Sequence, residues 1–106
     1  MDQTQICPRF EKGIQIASKR WACLIIYQLL EGPKRFCAME TALNISGRLL
    51  SERLKELETE GIVKRIVYPE TPVRIEYSLT QKGLAFESIL SAIQTWSQTW
   101  IEPDSI

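Results

Sequence analysis

Three groups of residues carry chemistry by type and spacing. Cys7 stands immediately before Pro8. Proline suits the first position of a helix, so the thiol falls at or beside the cap, where the helix dipole stabilises an anion. Arg9 and Lys12 follow within the next turn or so. These conditions raise a thiol's reactivity; the alternative is a buried or inert cysteine. The second group is Ser46, Arg48, Ser51 and Lys55. With Leu50 taken as the buried direction and ~100° per residue, Leu54 and Leu57 fall within ~40° of it. Arg48, Glu52 and Lys55 lie ~140–160° away and Ser51 near ~100°. An arginine pairs bidentately with guanine, and Ser and Lys suit phosphates or bases. Glu52, Glu56, Glu58 and Glu60 keep the far half of this helix from phosphates, so its N-terminal half is the reader. The third group is Lys64, Arg65 and Arg74 around Pro69-Glu70-Thr71-Pro72. A rigid tip beside an arginine suits insertion next to a phosphate or into a minor groove. Lys19-Arg20 and Lys34-Arg35 also open or precede helices, where they can grip phosphates or snorkel as surface charge. Taken singly, each of these groups also fits an ordinary solvated surface.

The elements that must hold these residues are well punctuated. Pro8 starts a helix to about Ala17. Ser18 is the expected N-cap of a second helix over Lys19 to Glu31, stopped by Gly32-Pro33. Lys34 to Phe36 is too short for more than a stub of strand. Cys37 to Leu43 reads as a short helix that buries Phe36, Met39 and Leu43. Asn44-Ile45 is a turn and Ser46 the next cap. The following helix places Leu50, Leu54 and Leu57 on one side and ends at Gly61. Then the period changes. Ile62 to Tyr68 and Val73 to Leu79 are β-branched and aromatic, and Ile75, Tyr77 and Leu79 alternate with polar residues. Thr80 caps a last helix, Gln81 to Trp100, whose first turn Gly83 should weaken. Two short helices joined by a tight turn and followed by a hairpin make a winged helix-turn-helix. The fold class is α+β, mainly α, with N- and C-terminal helices left to form a dimer interface.

With 106 residues, the chain supports one domain, 1–106, with a structured core over about 7–100. Its hydrophobic fraction is 44% and its charged fraction 25%, which is ordinary for a globular protein. No stretch approaches a membrane span. Met1 leads into Asp2, Gln3, Thr4 and Gln5 and not into a basic leader segment, so a cytoplasmic location is expected. Lysine plus arginine equals aspartate plus glutamate at 13 each. The charge is unevenly spread. Lys19 to Lys82 holds eleven cations and eight anions, 11 − 8 = +3, and the flanks carry the balancing −3. A neutral total therefore conceals a basic middle. There is no histidine, which removes Ser-His-Asp and Cys-His catalysis and histidine-ligated metal. No glycine-rich phosphate loop or acid–base pair is recognisable either, so no enzyme, metal or cofactor is expected. Cys7, Cys23 and Cys37 lack metal-type spacing, and in a cytoplasmic chain they should be free thiols.

The stretch from Cys7 to Trp100 resembles the HxlR-type winged-helix regulators, a bacterial group related to the MarR-type repressors. Four segments carry the resemblance: Cys7-Pro8; Ser18-Lys19-Arg20-Trp21; Gly32-Pro33-Lys34-Arg35-Phe36; and Leu50 to Glu58, with Pro69 to Thr80 behind it. The resemblance implies a homodimeric transcriptional regulator, expected to be a repressor. It would read a pseudo-palindromic operator with the helix after Ser46 and a wing around Arg74. It also implies that Cys7 corresponds to the thiol with which several members sense quinones, other electrophiles or oxidants. Some redox-sensing relatives pair that thiol with a second cysteine near the partner's C-terminus. This sequence has none after Cys37, a departure from that pairing; mixed-disulfide formation or alkylation of Cys7 stays open, as does Cys37 as a partner for Cys7. Cys37 sits where the family often has a capping Asn or Ser, with Glu40 completing a capping box. Cys23 is expected to pack in the core.

Dimerisation is also expected from the residues themselves. Phe86, Ile89, Leu90, Ile93, Trp96 and Trp100 recur at spacings of three and four along 81–100. A chain this short cannot easily bury them all, and an exposed apolar stripe marks an interface. Ile6, Phe10, Ile14 and Ala17 form a similar stripe on the first helix. The alternative is a last helix folded over its own core. A twofold dimer would set its recognition helices ~34 Å apart. The competing functional reading is a winged helix used for protein–protein contact, favoured by the neutral total and the acidic end of the recognition helix. Salt separates the two, because a DNA binder loses affinity steeply as salt rises.

Overall fold

The computed structural model describes residues 6–105; Met1 to Gln5, which underlie the expected location, lie outside them. The order is α1 (Pro8–Ser18), α2 (Ala22–Leu29), α3 (Phe36–Leu43), α4 (Gly47–Thr59), β1 (Val63–Tyr68), β2 (Arg74–Leu79), α5 (Gln81–Leu84) and α6 (Phe86–Trp100), with a 3-10 turn at Pro103–Ser105. No described helix is long and apolar enough to cross a membrane.

The core forms where the apolar periods converge. Ile25, Ile26 and Leu29 of α2 meet Met39 of α3, Leu50, Leu54 and Leu57 of α4, and Ile62, Val63 and Leu79 at the root of the hairpin. Asn44 turns the chain between α3 and α4 with a left-handed backbone at φ 52°, a conformation asparagine tolerates. Ser46 caps α4 by accepting a hydrogen bond from the Leu49 N–H at 3.2 Å. The Glu40 carboxylate then lies close over Gly47, 2.8 Å from where a Cβ would stand.

β1 and β2 pair antiparallel, from Val63 with Leu79 at the root to Tyr68 with Arg74 at the tip. The stub expected at Lys34 is real. Its N–H donates to the Tyr77 carbonyl at 3.0 Å, and the Tyr77 N–H donates back at 2.8 Å. The expected alternation along β2 is blurred, because Arg74 to Ser78 are all half-buried. Lys34 borders the edge of β2, and the Arg74 side chain folds across the Tyr68 ring.

Four expectations need correction. Ser18 does not cap α2. It is the last residue of α1, and α2 begins four residues later at Ala22. The turn between them is made by Trp21 in a left-handed conformation, φ 76°, and the half-buried Trp21 packs against the core. Cys37 does not cap α3 either. Arg35 holds the extended cap position and Cys37 lies exposed in the first turn. The last helix is two helices, α5 and α6, meeting at Ala85. Gly83 is not a mere weakness in it. A Cβ at Gly83 would collide with the carbonyl oxygen of Ile62 and press on Leu79, so only glycine lets α5 lie this close to the hairpin root.

The six apolar residues of the C-terminal stripe also do not share one environment. Leu90 is buried on the core and Phe86 half-buried, whereas Ile89, Ile93, Trp96 and Trp100 are exposed, Trp100 at 71%. α6 therefore spends one edge on its own domain and leaves the other uncovered. The molecule is correspondingly elongated, 56 × 37 × 23 Å.

Candidate nucleic-acid interface

Local sequence dictates how α4 presents its outer face. Leu50, Leu54 and Leu57 fix the helix on the core, and the opposite side is left to Arg48, Glu52 and Lys55. Arg48 is 92% exposed, and its Nε lies 3.6 Å from Glu52. An exposed pair of this kind is worth about 0–1 kcal/mol, so it does not hold Arg48 back from a stronger partner. Lys55 is exposed and Ser51 half-buried beside them. The Ser46 hydroxyl is committed as acceptor to Leu49, but its proton is free to be donated to a phosphate.

The hairpin supplies a second cluster. Arg74 sits 3.8 Å over the Tyr68 ring. Its Nε donates to Glu70 Oε2 at 3.0 Å and its Nη1 to Glu76 Oε2 at 3.2 Å. The hydrogen bond to Glu70, with the charges of Glu70, Glu76 and Tyr68 behind it, holds the guanidinium above its ordinary value. It is a fixed cation. Arg35 and Arg74 line one cleft of about 360 Å³ with Thr71, Pro72 and Val73, so the wing tip and the start of α3 face each other. Lys64 and Arg65 are exposed on β1.

The remaining cations divide. Lys34 is tied to Glu31 at 2.8 Å, Arg20 lies 5.5 Å over the Trp21 ring, and Lys19 is exposed. Lys19 lines a different cleft, between α1, α2 and α4, together with Lys12 and Arg53. The structure thus gathers Arg48, Ser51 and Lys55 on one helix face and Arg35 with Arg74 at the wing. It does not gather Lys19 and Arg20 with either, whereas Lys34 borders the wing through its backbone bonds to Tyr77 while its ammonium is tied to Glu31.

Arg53 was not anticipated as part of this arrangement. Its side chain is only 15% exposed, and its Nε donates to the Arg20 carbonyl at 2.9 Å. The signal was available, since a cation ~60° from Leu50 on the helical wheel lies nearer the core than the solvent.

Cys7 occupies the N-cap position of α1 and is exposed, with no side-chain capping bond. Lys12, expected to support its thiolate, is turned away to Glu60 at 3.0 Å. Cys23 is half-buried. Its thiol donates to the Ala17 carbonyl at 3.2 Å, and burial pushes it above its ordinary value.

Of the dimer residues expected from sequence, Phe86 and Leu90 turn to their own core and the others are exposed, as are two further residues. Ile6, Phe10 and Ile14 are exposed on and before α1, and Ile89, Ile93, Trp96 and Trp100 on α6. Leu24 and Tyr27 of α2 are exposed too, lining a cleft of about 360 Å³ against Ile93 and Gln94 of α6. Their signal was the composition of α2, apolar on every side, which is the mark of a helix covered on more than one face.

The HxlR-like helix-turn-helix family model matches residues 16–105. Among curated proteins, the HTH-type transcriptional regulator YvaP of Bacillus subtilis is 62% identical over 97% of this chain and 96% of its own. YodB of the same organism is 46% identical over 92% and 88%. The reduced form of the transcriptional regulator YodB superimposes with a TM-score of 0.83, covering 93% of this chain and 98% of that one at 44% identity. YodB has also been solved diamide-treated and quinone-bound. The redox regulator HypR in its oxidised form follows at a TM-score of 0.82, with 33% identity over 91% of this chain and 99% of that one.

Proposed function

The chain belongs to the HxlR-like helix-turn-helix family, a family of DNA-binding transcriptional regulators and not of enzymes, and we propose that it acts as a homodimeric repressor switched at Cys7. The observation that carries the DNA reading is α4. It is capped by Ser46, anchored by three buried leucines, and turns Arg48 and Lys55 outward. In this reading Ser46, Arg48, Ser51 and Lys55 enter the major groove of a pseudo-palindromic operator. Arg74, Lys64, Arg35 and Lys34 serve the wing side, and Lys19 and Arg20 grip backbone phosphates. Residues 1–106 act as one DNA-binding domain, with 81–100 as its dimerisation segment. The exposed edges of α1 and α6 meet their twofold copies, because no other described element covers them.

The switch reading rests on the exposed Cys7 at the cap of α1 and on the relatives solved in quinone-bound, diamide-treated and oxidised forms. A quinone would add at the Cys7 sulfur, the thiol proton passing to the reduced ring, and diamide, itself reduced to the hydrazine, would join Cys7 to a second thiol such as a low-molecular-weight thiol. Either change falls on the helix that also carries Phe10 and Ile14, so it bears on the dimer as well as the thiol.

Fluorescence anisotropy with duplexes from upstream of its own gene tests the reading. The reduced protein is compared with protein treated with a quinone or diamide, with Cys7→Ser in parallel. Tight binding lost only by treated wild type is expected. Binding indifferent to treatment would leave a regulator without the thiol switch. No binding at low salt, either to that DNA or to any duplex selected from a random pool, would overturn the DNA reading.

A further inference from the structure

α1 and α4 face each other across a cleft of about 170 Å³. Two polar anchors span it. Arg53 donates from Nε to the Arg20 carbonyl at 2.9 Å and from Nη1 to Glu56 at 3.0 Å. Arg20 directly precedes Trp21, whose left-handed backbone makes the corner between α1 and α2. At the far end of α4, Glu60 Oε1 meets Lys12 Nζ at 3.0 Å. Arg53 and Glu60 are seven residues apart, two helical turns, so they lie on one line along the axis. Arg48 and Lys55 are also seven apart, and their line is rotated from the first by about 140°. The helix therefore carries a reading line and an anchoring line on nearly opposite sides.

We propose that Arg53 and Glu60 are positioning residues that set the roll and tilt of the reading helix against the α1–α2 corner. Two anchors two turns apart fix both angles, where a single contact would leave a pivot. Lys12 is five residues from Cys7 on the same helix, so a displacement of α1 reaches Arg48 and Lys55 through these anchors. The inference rests on the DNA-reading assignment of α4.

The test uses duplexes that the wild-type protein selects from a random pool, with affinity read against random-sequence DNA over a range of salt. Arg53→Met should lower the selected-to-random ratio about fivefold, the upper range for such contacts. The salt slope should stay unchanged, because Arg53 faces away from phosphates. Glu60→Gln should act in the same direction by about two- to threefold. Exchanging the pair, Lys12→Glu with Glu60→Lys, should restore the wild-type ratio. A salt slope reduced by about one in Arg53→Met would make Arg53 a phosphate contact and overturn the proposal. An unchanged ratio in both single variants would overturn it as well. A wild type that selects no duplex would remove the DNA reading itself. Amide hydrogen exchange over residues 20–22 and 47–59 then decides on the anchors alone: faster exchange in both variants supports them, and unchanged exchange removes them.

Discussion

The guanidinium of Arg74 lies 3.8 Å over the ring of Tyr68 and is gripped from two sides by Glu70 and Glu76. A wing arginine in this setting is held in place before any DNA arrives, but it is also shared with two carboxylates. Glu70→Gln should therefore raise affinity for DNA by about two- to fivefold at low salt and steepen the salt dependence, because Arg74 gains freedom to neutralise a phosphate. Arg74→Lys should not substitute, since lysine lacks the planar fork and the stacking surface. Anisotropy titrations at several salt concentrations check both. A loss of affinity in Glu70→Gln would mean that the carboxylate aims the arginine and does not compete for it.

Arg48 is 92% exposed on the outer face of α4. Arg48→Ala should weaken binding to a selected duplex by about 1–3 kcal/mol if it meets a guanine, while sparing random DNA. A change within error would remove Arg48 from the reading set.

Trp96, 57% exposed, stands in the middle of the uncovered edge of α6. Trp96→Asp should leave the monomer folded, because the side chain touches little of its own domain, and should shift sedimentation from dimer to monomer. An intact dimer would place the interface elsewhere.

Gly83 is required by the approach of α5 to the Ile62 carbonyl. Gly83→Ala should cost about 1–3 kcal/mol through overpacking, read as a lower urea midpoint. An unchanged midpoint would show that α5 can withdraw without loss.

Cys23 is the protected thiol and Cys7 and Cys37 are the accessible ones. Iodoacetamide should label Cys7 and Cys37 before Cys23, as intact-mass spectrometry would show. Burial raises the Cys23 thiol in the folded state from its ordinary 9.0, so the unfolded chain ionises first. Its contribution to stability is complete below 9.0 and falls as pH rises through that value. Wild type should therefore lose more stability than Cys23→Ala on alkalinisation, and parallel urea curves would contradict this.

Much of the fold was legible because local signals and packing agree. Ser46, the leucines of α4 and Gly61 mark a helix that the core also requires. The change of period at Ile62 marks the hairpin for the same reason. Where local preference and tertiary contact diverge, the sequence misleads. Ser18 is a good cap that is not used, because Trp21 turns the chain instead. Gly83 resembles a defect until the Ile62 carbonyl is seen above it. The reading face was legible from angle alone, since Leu50 fixes where Arg48 must point. The Arg20 carbonyl that Arg53 holds, the Glu60 that Lys12 meets and the Glu70 and Tyr68 around Arg74 were not, because each lies on a different element or across a hairpin tip, which periodicity does not reach.

The paired hydrogen bonds between Lys34 and Tyr77 bear on shape. They make the segment before α3 a third rung of the wing, so the hairpin is fastened to the helix-turn-helix at mid-length as well as at its root. In the proposed reading, a duplex would meet the reading helix and the wing as one template joined at two places. Any mismatch in curvature must then be taken up by the nucleic acid, whose base steps differ in how readily they bend. Selectivity at positions that no side chain touches would then arise from how readily each sequence bends.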